Sequence, residues 1–334
     1  VINPGLNKYE VVLANKYFLR EIIENIFLEE ALDEIAYSAT VKIVVTQDFP
    51  GIAPGQECRL SGIPFGGTNM VYLLHPGVVW ECESETRGQK HMTVMVYDKT
   101  IYLAKSEDEY LFPAGSTASQ RLKQYAVDWG IPLGQVSDTG VSLAKAVYRA
   151  QPVYSMIMSD LKETVAKGGD MYRPRMTPNG LELIKLGINE TVWALEIEQN
   201  IEVLTQRRTL EGTVTQVKVL GNTPEDQRSP VLAVVKGETS KYGTLQKMLE
   251  YNKATNANQA KIAGQKMLTG MQETFLVQCI DINTVRAGDK IQLNGMGLLV
   301  KSVRHELGNP GHMTIELTWP EMIKRGVYGY GESI

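Results

Sequence analysis

The sequence predicts an α+β, mainly β chain: two related β-barrel domains flank a small α/β domain. Three observations carry that expectation. Short β-branched runs punctuated by Gly and Pro occupy both ends of the chain. The hydrophobic period becomes helical in the middle. A turn–strand–turn pattern at residues 53–62 returns at residues 286–295.

The elements follow in order. Tyr9 to Leu13 reads as a strand leading to the turn-like pair Asn15-Lys16, and Ala39 to Thr46 is rich in β-branched residues. Pro50-Gly51 and Pro54-Gly55 punctuate the chain before Glu57-Cys58-Arg59-Leu60. Asn69 to Glu83 is long and apolar, with Pro76-Gly77 expected to break it, and His91 to Tyr97 closes the set. Strands of this length and spacing suggest a barrel or sandwich. Thr117 and Gln120 then form a capping-box pattern, Leu122, Tyr125, Ala126 and Trp129 recur at helical spacing, and Gly130 supplies the stop. A second helix starts near Pro152, carries Ile157, Met158, Leu161 and Val165 on one face, and stops at Gly168-Gly169. Asp170 to Met176 and Leu181 to Leu186 form a hairpin about Pro178-Asn179-Gly180. From Ile201 the chain is β-like again. Gly212 to Val219 alternates, Gly221 to Pro230 reads as a polar loop, and Gly243 to Gly270 is helix-like with a break around Asn252–Asn258. In the last strand Met313, Ile315, Leu317 and Trp319 alternate with Thr314, Glu316 and Thr318, so one face is buried and one is wet. The domains are expected at 1–105, 106–200 and 201–325, the last with a helical insertion at 243–270, followed by a Gly/Tyr-rich tail at 326–334. That tail is either flexible or a strand added to a neighbour.

The repeat is more than two similar hairpins. Ala53-Pro54-Gly55-Gln56-Glu57-Cys58-Arg59-Leu60-Ser61-Gly62 matches Arg286-Ala287-Gly288-Asp289-Lys290-Ile291-Gln292-Leu293-Asn294-Gly295 in its Gly, Leu and Gly positions. Each copy then runs to a near-identical strand, His91-Met92-Thr93-Val94 and His312-Met313-Thr314-Ile315. The matching order argues for two copies of one β module.

Composition excludes several classes. With 38 acidic and 34 basic residues the net charge is −4, which argues against nucleic-acid backbone as the main partner. Hydrophobic residues at 43% suffice to build cores. No apolar run approaches the ~18 residues of a membrane helix, and Val1-Ile2-Asn3-Pro4-Gly5 has no signal-peptide pattern. Cys58, Cys82 and Cys279 are sparse and far apart, as expected of buried small residues in a reducing compartment.

Enzyme motifs are scarce. GxSxG, GxxxxGK[ST] and HExxH do not occur. His75, His91, His305 and His312 lack a second ligand at metal spacing, so neither zinc nor another cofactor is expected. Cys82 and His91 lie in apolar strands, where packing outweighs a catalytic pair. Glu81, Glu83 and Glu85 share one strand face; with Glu107, Asp108 and Glu109 they are the carboxylate clusters a glycoside hydrolase would need, or a solvated face. Arg173, Arg175, Arg207 and Arg208 either grip carboxylates on a partner chain or lie on a solvated surface. Gly66-Gly67 and Gly168-Gly169 are turns without a phosphate-loop fingerprint.

Several stretches carry a family resemblance: Asp48-Phe49-Pro50-Gly51-Ile52-Ala53-Pro54-Gly55-Gln56, Ser61-Gly62-Ile63-Pro64-Phe65-Gly66-Gly67, His75-Pro76-Gly77-Val78-Val79-Trp80-Glu81 and Tyr97 to Asp108. It continues through Gly169 to Pro178, Gln206 to Gly212, Arg286-Ala287-Gly288-Asp289 and Ser302 to Gly308. Over nearly its whole length the chain resembles the tail-hub proteins of PBSX-type prophages and related contractile bacteriocins. The C-terminal pattern is more distantly similar to phage late-control D proteins and the hub part of type VI secretion spikes. The resemblance implies two tail-tube-like barrel domains per chain and a homotrimer of pseudo-six-fold symmetry. Such a ring is a symmetry adaptor joining a hexameric tail tube to a trimeric central spike. Tape-measure and other baseplate proteins are further candidate partners. The chain would be made in the bacterial cytoplasm and reside in the baseplate of a virion or tail-like particle, with no specific nucleic-acid binding and no membrane insertion. The family offers no catalytic, cofactor-binding or metal residues to carry over, so the expected role is structural, with the acidic strand faces lining a lumen. The alternatives are a tail-associated cell-wall hydrolase and a carbohydrate-binding module; the latter would need exposed aromatics, and Trp80, Trp129, Trp193 and Trp319 mostly fall in apolar stretches.

Overall fold

The computed structural model describes residues 7–222, 228–250 and 257–329. The sequence expectations for Val1–Gly5, the Pro224–Gln227 part of the polar loop, most of the Asn252–Asn258 break and the end of the tail (330–334) lie outside the described residues.

The chain begins with strands β1 (Tyr9–Leu13), β2 (Tyr17–Phe18), β3 (Ile23–Ala31), β4 (Ser38–Val44), β5 (Glu57–Gly62), β6 (Val71–Arg87) and β7 (Gln89–Asp98). A middle segment follows: α1 (Ile101–Lys105), β8 (Glu107–Phe112), α2 (Ala118–Asp128), β9 (Leu133–Val136), β10 (Ala146–Pro152), α3 (Val153–Ala166), β11 (Tyr172–Thr177) and β12 (Gly180–Lys185). The last part holds β13 (Trp193–Leu195), β14 (Ile201–Thr209), β15 (Gln216–Leu220), β16 (Val231–Lys236), α4 (Thr239–Tyr242), β17 (Gln246–Glu250), α5 (Ala257–Met267), β18 (Gln272–Ile280), β19 (Lys290–Leu293), β20 (Met296–Glu306), β21 (His312–Thr318) and α6 (Pro320–Gly326).

The mainly β, α+β class holds, but the two β modules are not closed barrels. Their strands form one open sheet in the order β14-β18-β21-β20-β3-β4-β7-β6-β5-β1-β2, with β19 joining β20 and β13 joining β19. The join is the antiparallel pairing of β20 with β3, which puts Arg304 opposite Glu29. The edge of β3 that could have closed the first module on itself is thereby taken by the second. Each module keeps its own core. One is built on Val11, Ile26, Val41, Leu60, Val79 and Val94, the other on Val277, Leu293, Val300, Val303 and Ile315.

Pro76-Gly77 does not break β6, which runs through it as a single strand. Pro76 lacks an N–H, and the pairing with β5 is irregular on that side, so little is lost. Gly77 is required there: a Cβ would sit 2.5 Å from the carbonyl oxygen of Cys58.

In the middle segment the Thr117 side chain accepts from the Gln120 amide and Gln120 returns the bond to the Thr117 N–H. Helices α2 and α3 face each other across a buried ion pair, Arg121 to Asp160 at 2.6 Å; the Asp160 carboxylate also accepts from Tyr148 (2.6 Å) and Tyr125 (3.2 Å). Hairpin β11–β12 turns at Asn179 with Thr177 opposite Gly180. This core extends under both β modules through Leu32, Val78, Ala287 and Leu299. The start of the tail belongs to it as well. Tyr328 is buried and its hydroxyl donates to the Tyr172 carbonyl at 2.6 Å, so residues 326–329 are neither free nor a strand.

Between β14 and β18 the chain builds a three-stranded sheet, β16-β15-β17, covered by α5 through Ala260, Ala263 and Met267. Residues 246–250, expected to be helical, form β17 instead. They run parallel to β15, with Leu249 turned into the small core.

Candidate assembly interface

The sequence repeat is a structural repeat. In the first module the strand order is β3-β4-β7-β6-β5; in the second it is β14-β18-β21-β20-β19. Irregularities recur at matching places. A register shift between Ile23 and Asn25 in β3 matches one between Ile201 and Val203 in β14. Another between Val79 and Glu81 in β6 matches one between Val300 and Ser302 in β20. Bulges re-aim a strand at a fixed point, so shared bulges fix the equivalence residue by residue.

Alternation gives this sheet two faces. The covered face reads Cys82, Val94, Val41 and Ile26 across one rung of the first module, and Val303, Ile315, Val277 and Leu204 across the equivalent rung of the second. The wet face one residue along reads Glu83, Thr93, Lys42 and Asn25, and then Arg304, Thr314, Gln278 and Val203. The expected face of Glu81, Glu83 and Glu85 is present, all three exposed and on the wet side.

Both ends of the run β14 to β6 are open. Among the described residues strand β14 pairs only with β18, and from Glu81 to Arg87 strand β6 pairs only with β7. One open edge is acidic, the other carries Arg207 and Arg208. Exposed edges of this length template pairing with another chain unless they are blunted. At the join within the chain, Arg304 and Glu29 form an ion pair on the wet face and the Arg304 guanidinium stacks over Phe27.

Behind the join lies a buried charge cluster. Glu30 takes a two-pronged contact from Arg286 (2.6 and 2.9 Å), a contact from Arg173 (3.2 Å) and the Ala287 N–H (3.0 Å). Burial pushes its pKa up, but Arg286 and Arg173 outweigh burial and hold the carboxyl well below the usual range. Arg175 pairs with Asp289 at 3.6 Å and donates to the Ala287 carbonyl. Arg173 and Arg175 are therefore neither partner-gripping nor solvated; they tie hairpin β11–β12 to both modules. Arg207 and Arg208 are exposed, Arg208 contacting Glu273 at 2.7 Å.

The remaining candidates are dispersed. Cys82 and His91 point to opposite faces of the sheet, and His91 pairs with Glu24 at 2.9 Å. Burial pushes the Cys82 thiol up, the reverse of nucleophile activation. Burial also pushes Cys58 and Cys279 to about 12. His305 is buried between Asp281 (2.6 Å) and the Val285 carbonyl (2.9 Å), His75 stacks on Tyr72, and His312 meets Glu202. Asp108 accepts from the Trp129 indole and Glu109 faces Arg149. The four tryptophans are partly buried, Trp80 and Trp129 against the central core and Trp193 and Trp319 against that of the second module. Gly66-Gly67 and Gly168-Gly169 are turns, with Gly66 and Gly168 at positive φ. Among the described residues no group of three or more His, Cys, Asp or Glu could hold a metal ion, and no helix is long and apolar enough to cross a membrane.

This fold, a duplicated β module joined edge to edge across an α/β core, matches those of solved phage tail proteins. It is similar to the 43 kDa tail protein of prophage MuSo2 from Shewanella oneidensis (TM-score 0.71, 11% identity, 94% of this chain and 98% of that one covered). It is also similar to a tail protein of Neisseria meningitidis (0.67, 15%, 96% and 99%). A third likeness is to the Escherichia coli c3393 protein, a type VI secretion component with structural similarity to bacteriophage T4 tail proteins gp27 and gp5 (0.53, 10%, 89% and 73%). The search of curated proteins gives no match. The chain belongs to the YQBQ-like family, whose model matches residues 36–318.

Proposed function

We propose that the protein is the structural hub of the baseplate of a contractile phage tail or tail-like particle. Three copies form a ring of six β modules, matching a hexameric tail tube on one side and a trimeric spike on the other. The chain works through interfaces rather than catalysis, and tape-measure and other baseplate proteins are further candidate partners. The observation that carries this reading is the pair of open edges: a chain holding two copies of one module, joined by an edge-to-edge seam and open at both ends, is built to continue the same seam into the next chain. The wet face, with Glu81, Glu83, Glu85, Thr93 and Thr314, then lines the lumen, where its carboxylates discourage DNA from adhering. The test is the solution mass by light scattering, with negative-stain imaging of the peak. Three chains and ring-shaped particles are expected, alone or on co-production with spike and tube proteins. A chain that remains monomeric with both present refutes the proposal.

A further inference from the structure

We infer that the seam between neighbouring chains is an antiparallel pairing of β6 with β14 in a register set by the seam within the chain, with Glu83 of one copy ion-paired to Arg207 of the next. The inference rests on the ring proposed above.

The register follows from equivalences already described. Through its pairing with β7 or β21, β6 matches β20: Glu81, Cys82, Glu83, Ser84 and Glu85 stand where Ser302, Val303, Arg304, His305 and Glu306 stand. Through β4 or β18, β14 matches β3: Thr205, Gln206, Arg207, Arg208 and Thr209 stand where Phe27, Leu28, Glu29, Glu30 and Ala31 stand. Within the chain Arg304 opposes Glu29, Val303 opposes Glu30 and His305 opposes Leu28. Carried over, Glu83 opposes Arg207, Cys82 opposes Arg208 and Ser84 opposes Gln206.

Backbone pairing alone thus places opposite charges on the wet face at the same position as the Arg304–Glu29 pair, with their order reversed. Glu81 and Glu85 flank Glu83 on the wet face and meet Thr209 and Thr205, so no like charges are opposed. Among the described residues neither Glu83 nor Arg207 forms an ion pair within the chain, and both are exposed. A slip by one residue would set Glu83 against Arg208 but turn each strand's wet residues toward the other's covered side.

The native Cys82 supplies the probe. Directly opposed residues of an antiparallel pair lie about 4.5–5.5 Å apart, within disulfide reach. The full-length R208C variant, assembled and then oxidised, should run as a covalent ladder ending at three chains. Q206C, two residues away on the same strand face, should stay uncrosslinked. The charge-reversed E83R and R207E variants should each raise the concentration at which trimers dissociate by about tenfold, and the E83R/R207E pair should restore it. Crosslinking by Q206C but not R208C overturns the register. A trimer by mass that neither variant crosslinks overturns the seam while leaving the ring. A chain monomeric in the presence of spike and tube proteins overturns the ring reading itself, and the seam with it.

Discussion

Substitution of Glu30 tests how the two modules and the α/β core are locked together. Its side chain is 2% exposed and is contacted by Arg286, Arg173 and the Ala287 N–H, so one carboxylate holds β3, hairpin β11–β12 and the turn before β19. Glu30→Gln keeps the shape but removes the charge, leaving two guanidinium groups to face each other without their counter-ion. Removing one member of a buried ion pair costs about 3–5 kcal/mol. At ~1.4 °C per kcal/mol for a chain of this size, Tm should fall by roughly 4–7 °C. Urea unfolding of the E30Q, R286Q and double variants gives the coupling directly, with the double variant less destabilised than the sum. The pH dependence has a definite sign. The Glu30 pKa is lowered in the folded chain, so its contribution is complete above the ordinary value of 4.5 and is lost as pH falls below that toward the folded value. E30Q should therefore lose stability at pH 7 and show a shallower acid limb below about pH 4.5. An E30Q variant within about 1 kcal/mol of the parent at pH 7, or one with an unchanged acid limb, would refute the role given to this cluster.

Three further outcomes can be measured independently. Asp160→Asn should destabilise the middle segment by about 3 kcal/mol or more, read as faster amide exchange in α2 and α3, because Arg121 loses its buried counter-ion. Tyr328→Phe should cost about 1 kcal/mol for the lost bond to Tyr172, and Tyr328→Ala about 3–5 kcal/mol for the cavity; no change in either would show that residues 326–329 do not dock. In the unassembled native chain a thiol reagent at pH 8 should modify Cys82 alone, since Cys58 and Cys279 are buried and pushed to about 12. Assembly should then protect Cys82, which the proposed seam covers.

What the sequence made legible is what short-range chemistry decides. Thr117 and Gln120 announce a helix start, Asn179-Gly180 a hairpin, and alternation from Met313 to Trp319 a strand, because each depends on neighbours a few residues away. The repeat was readable because a turn needs Gly at fixed places whichever module holds it. The sequence did not disclose what becomes of an edge. Nothing local in β3 or β20 says that they pair, and so closed barrels were expected where an open sheet is found. The burial of the β11 arginines Arg173 and Arg175 is hidden for the same reason: their partners Glu30 and Asp289 are supplied from opposite ends of the chain. Residues 246–250 became a strand because β15 offered an edge, not because their own pattern asked for one.

The reversed charge order at the two seams gives the duplication a purpose beyond length. Within the chain β20 brings the cation, Arg304, and β3 the anion, Glu29; between chains, in the proposed register, β6 brings the anion, Glu83, and β14 the cation, Arg207. Two wrong pairings compete with the right ones. If β20 met a neighbour's β14, Arg304 would oppose Arg207; if β6 met β3, Glu29 would oppose Glu83. Each mismatch sets like charges across a strand pair, whereas each correct seam sets opposite ones. A single module repeated six times could not discriminate in this way, because all its seams would be alike. Two modules with opposite polarity would make the order of modules around the proposed ring self-correcting. Substituting both members of one seam to match the other's polarity, E83R with R207E, would keep that seam attractive while removing the penalty on both wrong pairings. Such a variant should still trimerise from purified, folded chains, yet yield more misassembled oligomers than the parent when refolded at high concentration. Equal yields of correct trimer from the two would remove the case for charge as the discriminator.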